Sequence, residues 1–266
     1  MLQYKVYFNF SLAVYIVCII VQNFSMRTLV IGDIHSGLKG LVQVLERAGI
    51  NEDDTLIFLG DYVDSWSEAV ETINFLIELK TTHDCIFIRG NHDELCRDWL
   101  QTGRDNPQWL AHGGMATKAS YENTAKDIWE LHLEFFAAME NYFIDTTNRL
   151  YLHAGFTNLK GVGFEYFDQL FYWDRTLWEL AKSLNPLLKE GDDNYPKRLT
   201  HYHEIFIGHT PLSKVGVATP ENGANVWNVD TGAAFKGPLT IMDVETKEFW
   251  QSDPVHTLYA GEKGRN

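Results

Sequence analysis

The chain is 266 residues long, 45% hydrophobic and 14% aromatic, which is enough apolar material for one large folded domain and too much for a disordered chain. A formal net charge of -14 excludes a general nucleic-acid binder, because tracking a phosphate backbone requires a basic stripe. Three cysteines, Cys18, Cys85 and Cys96, make no disulfide framework and fit a reducing, cytoplasmic compartment.

From Val6 to Val21 the chain is apolar apart from Asn9 and Ser11, with Lys5 before it. Three readings stay open for residues 1–25: a membrane anchor a little shorter than the usual span, a weak secretory signal, or a mis-assigned start with Met26 as the true initiator. Membrane contact is expected only if this leader is retained. No repeat or Pro/Gly-rich linker divides the remainder of the chain, so residues 26–250 read as one domain and 251–266 as a tail.

Four apolar, β-branched stretches then recur: Thr28-Leu29-Val30-Ile31, Leu56-Ile57-Phe58-Leu59, Cys85-Ile86-Phe87-Ile88 and Ile205-Phe206-Ile207. Each reads as a buried strand. Between the first three, Leu41, Val44, Leu45 and Ala48, and then Val70, Ile73, Phe75, Leu76 and Leu79, fall at helical spacing. This pattern predicts helices packed on a mostly parallel sheet, with consecutive strands adjacent through right-handed crossovers. Residues 95–146 read as mainly helical and as part of a cap, 174–189 as another helix, and Val226 to Trp250 as strands closing a second sheet. Phe135, Phe136, Phe167, Phe171 and Trp178 read as core and cleft wall, and His201 and His203 as structural.

The strand ends carry the chemistry. Gly32-Asp33-Ile34-His35, Gly60-Asp61-Tyr62-Val63-Asp64, Arg89-Gly90-Asn91-His92-Asp93, His153-Ala154-Gly155 and Gly208-His209-Thr210 each end an apolar run in metal-ligating side chains. Strand ends of an α/β sheet emerge along one edge, so these groups converge. A site for two divalent ions needs a bridging carboxylate with a ligand set on either side. Asp61 is the candidate bridge, with Asp33 and His35 on the first metal and Asn91, His153 and His209 on the second. Two dications, two aspartates and one hydroxide leave a net charge of about +1, which attracts phosphate and lowers the pKa of the bridging water. The mixed ligands suit Mn, Fe, Zn or Co better than Ca, with Mn the first expectation.

Phosphoryl transfer also needs an acid for the leaving group and donors for the non-bridging oxygens. His92, next to Asn91, is the candidate acid; Asp64 is the candidate orienter that raises its pKa. Arg89 and Arg175 are the candidate clamps.

These motifs resemble the calcineurin-like metallophosphoesterases, and within them the phosphoprotein phosphatases and their bacterial serine/threonine and diadenosine tetraphosphatase relatives. The segments named above stand in that family's order and spacing, and His112-Gly113-Gly114 with Thr117 is similar to its Asn-Gly-Gly segment; the likeness covers about residues 27 to 245. The resemblance implies an α/β fold, a four-layer α-β-β-α sandwich of two mixed sheets flanked by helices, and direct attack by a metal-bridging hydroxide without a phospho-enzyme. Asp93, where the animal enzymes usually carry Glu, leans toward the bacterial branch, as does Trp173-Asp174-Arg175, similar to that branch's Trp-x-Arg.

Two departures stand out. The family commonly writes Asp-Arg-Gly where this chain has Asp64-Ser65-Trp66, so one phosphate-binding arginine is absent; Ser36 stands where Gly is usual. The reading is a metal-dependent, serine/threonine-phosphatase-like hydrolase of phosphomonoesters, acting on a phosphorylated protein or small phosphoester. The alternatives are a dinucleoside polyphosphate hydrolase and a metal-bound protein that holds a phosphorylated partner without turnover. The Tyr166 to Arg198 stretch is where substrate choice is expected to lie.

Overall fold

Period-2 alternation decides the layers. In the computed structural model, which describes residues 26–265, strand β1 (Thr28–Ile31) sends Leu29 and Ile31 to one side and Val30 to the other. Strand β2 (Thr55–Phe58) does the same with Leu56 and Phe58 against Ile57. These two pair in parallel, Leu29 opposite Leu56, and β2 pairs in parallel with β3 (Asp84–Phe87). The crossovers are helices α1 (Leu38–Ala48) and α2 (Ala69–Leu79), which bury the apolar faces expected of them.

A second sheet is built from β4 (Tyr142–Ile144), β5 (Arg149–Leu152), β6 (Glu204–Ile207), β7 (Glu221–Gly223) and β8 (Val226–Asn228), in the order β4-β5-β6-β8-β7. Its inner face carries Tyr151 and Phe206, stacked 5.1 Å apart, which meet Val30, Ile57 and Met242 of the first sheet. Its outer face buries Leu150, Leu152, Ile205 and Ile207 against Leu177 and Trp178. The result is the two-sheet sandwich flanked by helices, four layers deep.

The C-terminal third departs from the sequence reading. Of the strands expected from Val226 to Trp250 to close the second sheet, only β8 joins it, beside the unexpected β7; β9 (Thr240–Asp243) runs antiparallel to β1 and carries β10 (Phe249–Gln251), so both complete the first sheet in the order β10-β9-β1-β2-β3. The cause is burial: all four β9 residues are buried, with Met242 facing the inter-sheet core and Ile241 the helical one. Nor do residues 251–265 hang free as a tail. Val255 and Tyr259 are buried in the first core, and Tyr259 stacks on Trp66 at 5.3 Å.

The region 95–146 is helical through α3 (Asn91–Thr102), α4 (Met115–Tyr121) and α5 (Lys126–Ala137), but it ends in strand β4. The helix expected over 174–189 is shorter, Thr176–Ser183. Phe135, Phe136, Phe171 and Trp178 pack in the cores, whereas Phe167 is 68% exposed and walls nothing. The apolar leader lies outside the described residues. Among the described residues no helix is long and apolar enough to cross a membrane.

Candidate active site

The loops leaving β1, β2, β3, β5 and β6 meet at one edge of the sandwich, and several of their residues hold backbone angles that L-residues rarely adopt. His35, Asp61, Asp64 and His209 have φ of 53°, 57°, 75° and 64°. Each such turn costs on the order of 1 kcal/mol or more and persists because its surroundings hold it. The motif glycines show how close the packing is: a Cβ on Gly90 would lie 2.2 Å from Asp61 Oδ1, and one on Gly208 would lie 2.1 Å from Asp33 Oδ1.

Asp61 sits at the centre. The backbone N–H of His92, in the first turn of α3, donates to its Oδ1 at 2.9 Å, a favourable place for an anion. Its other oxygen, Oδ2, lies 3.5 Å from His35 Nε2 on one side and 3.4 Å from His153 Nε2 on the other. Both rings are fixed by backbone carbonyls behind them, His35 Nδ1 at 3.1 Å from Val63 O and His153 Nδ1 at 2.7 Å from Leu59 O, so the Nε2 atoms face inward. This is how a protein presents neutral imidazoles to a metal.

The other expected ligands gather around this axis. Asp33 Oδ2 is 3.8 Å from His35 Nε2. Asn91 Oδ1 is 3.2 Å from His153 Nε2. The donor atoms of Asp61, His153 and His209 lie within 4.8 Å of one another, as do those of His35, Asp61 and His92. His209 Nε2 is buried and has no hydrogen-bond partner. Three imidazoles, one with an orphaned nitrogen, a second carboxylate and an amide oxygen around one shared aspartate fit two divalent cations.

The electrostatics agree. Burial, then the charges of Asp230 and Asp61, push Asp33 well above the usual carboxylate range. Burial also opposes ionisation of Asp61, but His153, His92 and His35 outweigh it and hold that carboxylate well below the usual value. His153 is carried up to about 10 because Asp61 and Asp33 outweigh the burial that would lower it. Positive charge between Asp33 and Asp61 is what this pocket stabilises.

His92 stands beside the centre, its ring edge-to-face with His35 at 4.9 Å. Its Nδ1 makes a short contact with Asp64 Oδ2. Asp64 is itself fixed, accepting from Trp109 Nε1 at 2.7 Å and Thr117 Oγ1 at 2.6 Å. Burial works to lower the His92 pKa, and Asp61 and Asp64 raise it beyond that loss. Nε2 is left directed at the cleft of about 400 Å³ that opens over Asp33, Asp61 and Asn91.

The two arginines part company. Arg175 lines this cleft and donates to His209 O at 3.2 Å and Thr210 Oγ1 at 3.1 Å. Arg89 does not reach it. Its guanidinium pairs with Glu94 at 2.8 Å and donates to Met139 O at 3.2 Å, in a separate depression with Arg97, Glu140 and Tyr172. Gly90 separates Arg89 from Asn91 and the chain turns into α3 between them, so the Arg89 guanidinium is held by Glu94 and Met139 outside the cleft, not where a clamp on the phosphate was expected.

The roles of several groups escaped the sequence reading. Asp93 accepts from the N–H groups of Gly90, Asp61 and Tyr62, each at 2.8 Å, and so sets the loop that carries Asp61. Asp230, buried after β8, follows the run Val226-Trp227-Asn228-Val229, whose Asn228 blurs the signal that marked the recognised motifs. Trp109 and Arg265 line the cleft with no local pattern to mark them.

The model of the calcineurin-like phosphoesterase family matches residues 26–235. A bis(5'-nucleosyl)-tetraphosphatase of Anoxybacillus flavithermus is 26% identical over 252 residues, covering 89% of this chain and 97% of its own. Serine/threonine-protein phosphatase 2 of Salmonella typhimurium is 25% identical over 222 residues, covering 81% and 92%. A protein serine/threonine phosphatase from Saccharomyces cerevisiae, described as similar to human phosphatase PP5, superposes with a TM-score of 0.57 at 16% identity over 88% of this chain and 81% of that one, a likeness of fold. The chain belongs to the calcineurin-like phosphoesterases, metal-dependent enzymes that hydrolyse phosphoesters.

Proposed function

We propose that this chain hydrolyses phosphomonoesters in the manner of a serine/threonine phosphatase, with Asp33, His35 and Asp61 holding one divalent ion and Asp61, Asn91, His153 and His209 the other. The observation that carries the reading is Asp61 Oδ2, 3.5 Å and 3.4 Å from two inward-facing imidazole nitrogens. When bound, the two ions neutralise phosphoryl oxygens and make water acidic enough to react near neutral pH.

The chain's own groups supply the rest. His92 holds a proton on Nε2 and delivers it to the departing alkoxide or phenoxide oxygen, while Asp64 fixes its ring and stabilises the imidazolium. Arg175 presents a planar guanidinium to the non-bridging oxygens. Leu95, Trp109, Trp173 and Pro211 wall the cleft and limit water around the reacting group. Mn is the metal we expect, and the cytoplasm the compartment, in keeping with free Cys85 and Cys96.

A second reading, hydrolysis of dinucleoside polyphosphates, draws on the same aromatic wall, which can stack a nucleobase beside the phosphate site, and on the tetraphosphatase relative. A panel of phosphopeptides, nucleotides and diadenosine tetraphosphate with added Mn separates the two. Turnover of phosphopeptides and aryl phosphates, abolished on both by Asp61→Asn and lost chiefly on the phosphopeptides in His92→Ala, is the expected result. Release of nucleotides from the dinucleotide alone transfers the reading to the second, and tight phosphate binding without turnover of any substrate reduces the chain to a binding protein.

A further inference from the structure

The cleft holds a second guanidinium besides Arg175. Arg265 Nη1 lies 3.0 Å from His92 Nε2, the nitrogen that faces the reacting group, and its guanidinium lies over the Phe235 ring at 5.2 Å. Among the described residues no carboxylate lies within ion-pair distance of it, and the buried carboxylate that feels its charge is Asp230. Arginine carries five N–H donors; a neutral His92 Nε2 accepts one of them, the protonated acid form of His92 accepts none, and in either state at least four are available to an anion.

The seat for this side chain is built. Gly264, at φ +56°, lies so close to Trp66 that a Cβ there would come 2.6 Å from the indole Cη2 and 2.9 Å from Ala234 O. Trp66 is fully buried, donates from Nε1 to Ala233 O at 2.8 Å and is stacked on Tyr259. The Arg265 N–H then donates to Ala234 O at 3.0 Å. The Ser65-Trp66 pair, which lacks the expected arginine, thus provides in Trp66 the floor on which the C-terminal segment delivers one.

We propose that Arg265 binds the non-bridging oxygens of the phosphoryl group and is the second guanidinium of the substrate site, standing in for the arginine missing at Ser65. This rests on the phosphoesterase reading. An arginine that served only to plug the cleft would show the opposite response to its removal.

The test uses the full chain loaded with Mn, with Arg265→Ala and Arg265→Lys. Inorganic phosphate affinity is measured by calorimetry and by competition against an aryl phosphate. Loss of a charge-assisted donor pair predicts that Arg265→Ala weakens phosphate binding and lowers kcat/KM by about tenfold to a hundredfold, with partial recovery in Arg265→Lys and an unchanged Tm. Unchanged phosphate affinity, or a rise in kcat/KM on removing the side chain, overturns the proposal while leaving the phosphoesterase reading standing. A parent protein that neither binds phosphate nor hydrolyses any ester overturns both.

Discussion

Asp93 offers a sharp test of how the site is held, because its carboxylate does not line the cleft and yet organises the turn that carries Asp61. It is buried and accepts three backbone N–H bonds at 2.8 Å, from Gly90 and Asp61 on Oδ2 and from Tyr62 on Oδ1. Replacing it by Asn keeps the shape but turns an NH₂ toward at least one of those donors; leaving one buried donor unsatisfied costs about 1–3 kcal/mol. Replacing it by Ala orphans all three, for at least about 3 kcal/mol, a large share of the ~5–15 kcal/mol that a domain usually has. Asp61, at φ 57°, loses the contact that holds its strained turn, and a displacement of about 1 Å is enough for a hundredfold loss in rate. Urea unfolding and aryl phosphate turnover measured together are the assay. The expectation is a graded loss of stability, Ala worse than Asn, and a loss of about a hundredfold or more in kcat for both. Parent-like stability and turnover in Asp93→Ala would refute the reasoning.

His92→Asn should lower kcat by about 10²–10⁴ on alkyl phosphates and much less on a nitrophenyl ester, whose leaving group needs no proton; equal losses on both, read from steady-state kinetics, would remove the acid role. Chelation should lower Tm and added Mn restore it, by about 2.7 kcal/mol of stability at a hundredfold excess over Kd, followed by scanning calorimetry. His132 is held down to about 4 by burial, between Tyr121 Oη at 2.6 Å and Asn74 Oδ1 at 3.0 Å. Its unfolded form therefore binds the proton first, and stability on the order of 3 kcal/mol is lost as pH falls from about 6.5 toward 4. In His132→Gln that loss should be absent, so the stability gap between parent and variant narrows on acidification; a gap constant with pH counts against it.

The strand ends were legible because three facts coincide there: apolar runs of fixed length, a turn glycine, and a ligating side chain immediately after. Asp33, Asp61, Asn91 and His209 are all of this kind, and the fold brings them together at one edge. Arg89 misled because nearness in sequence to Asn91 does not say where a long side chain ends, and Glu94 in the helix that follows draws its guanidinium away. The assignment of β9 and β10 to the wrong sheet has a similar cause. An apolar strand buried on both faces fits either sheet by composition, and the antiparallel pairing with β1 is a long-range choice. Arg265 was illegible for the same reason at greater distance, since its place depends on Trp66 and Ala234, far away in the chain.

The most direct test of the central claim is anomalous diffraction from crystals of the Mn-loaded protein, collected above and below the metal edge. Two peaks on either side of the Asp61 carboxylate, within bonding reach of Asp33 and His35 on one side and Asn91, His153 and His209 on the other, are what this account predicts. A single peak, or peaks away from Asp61, would contradict it.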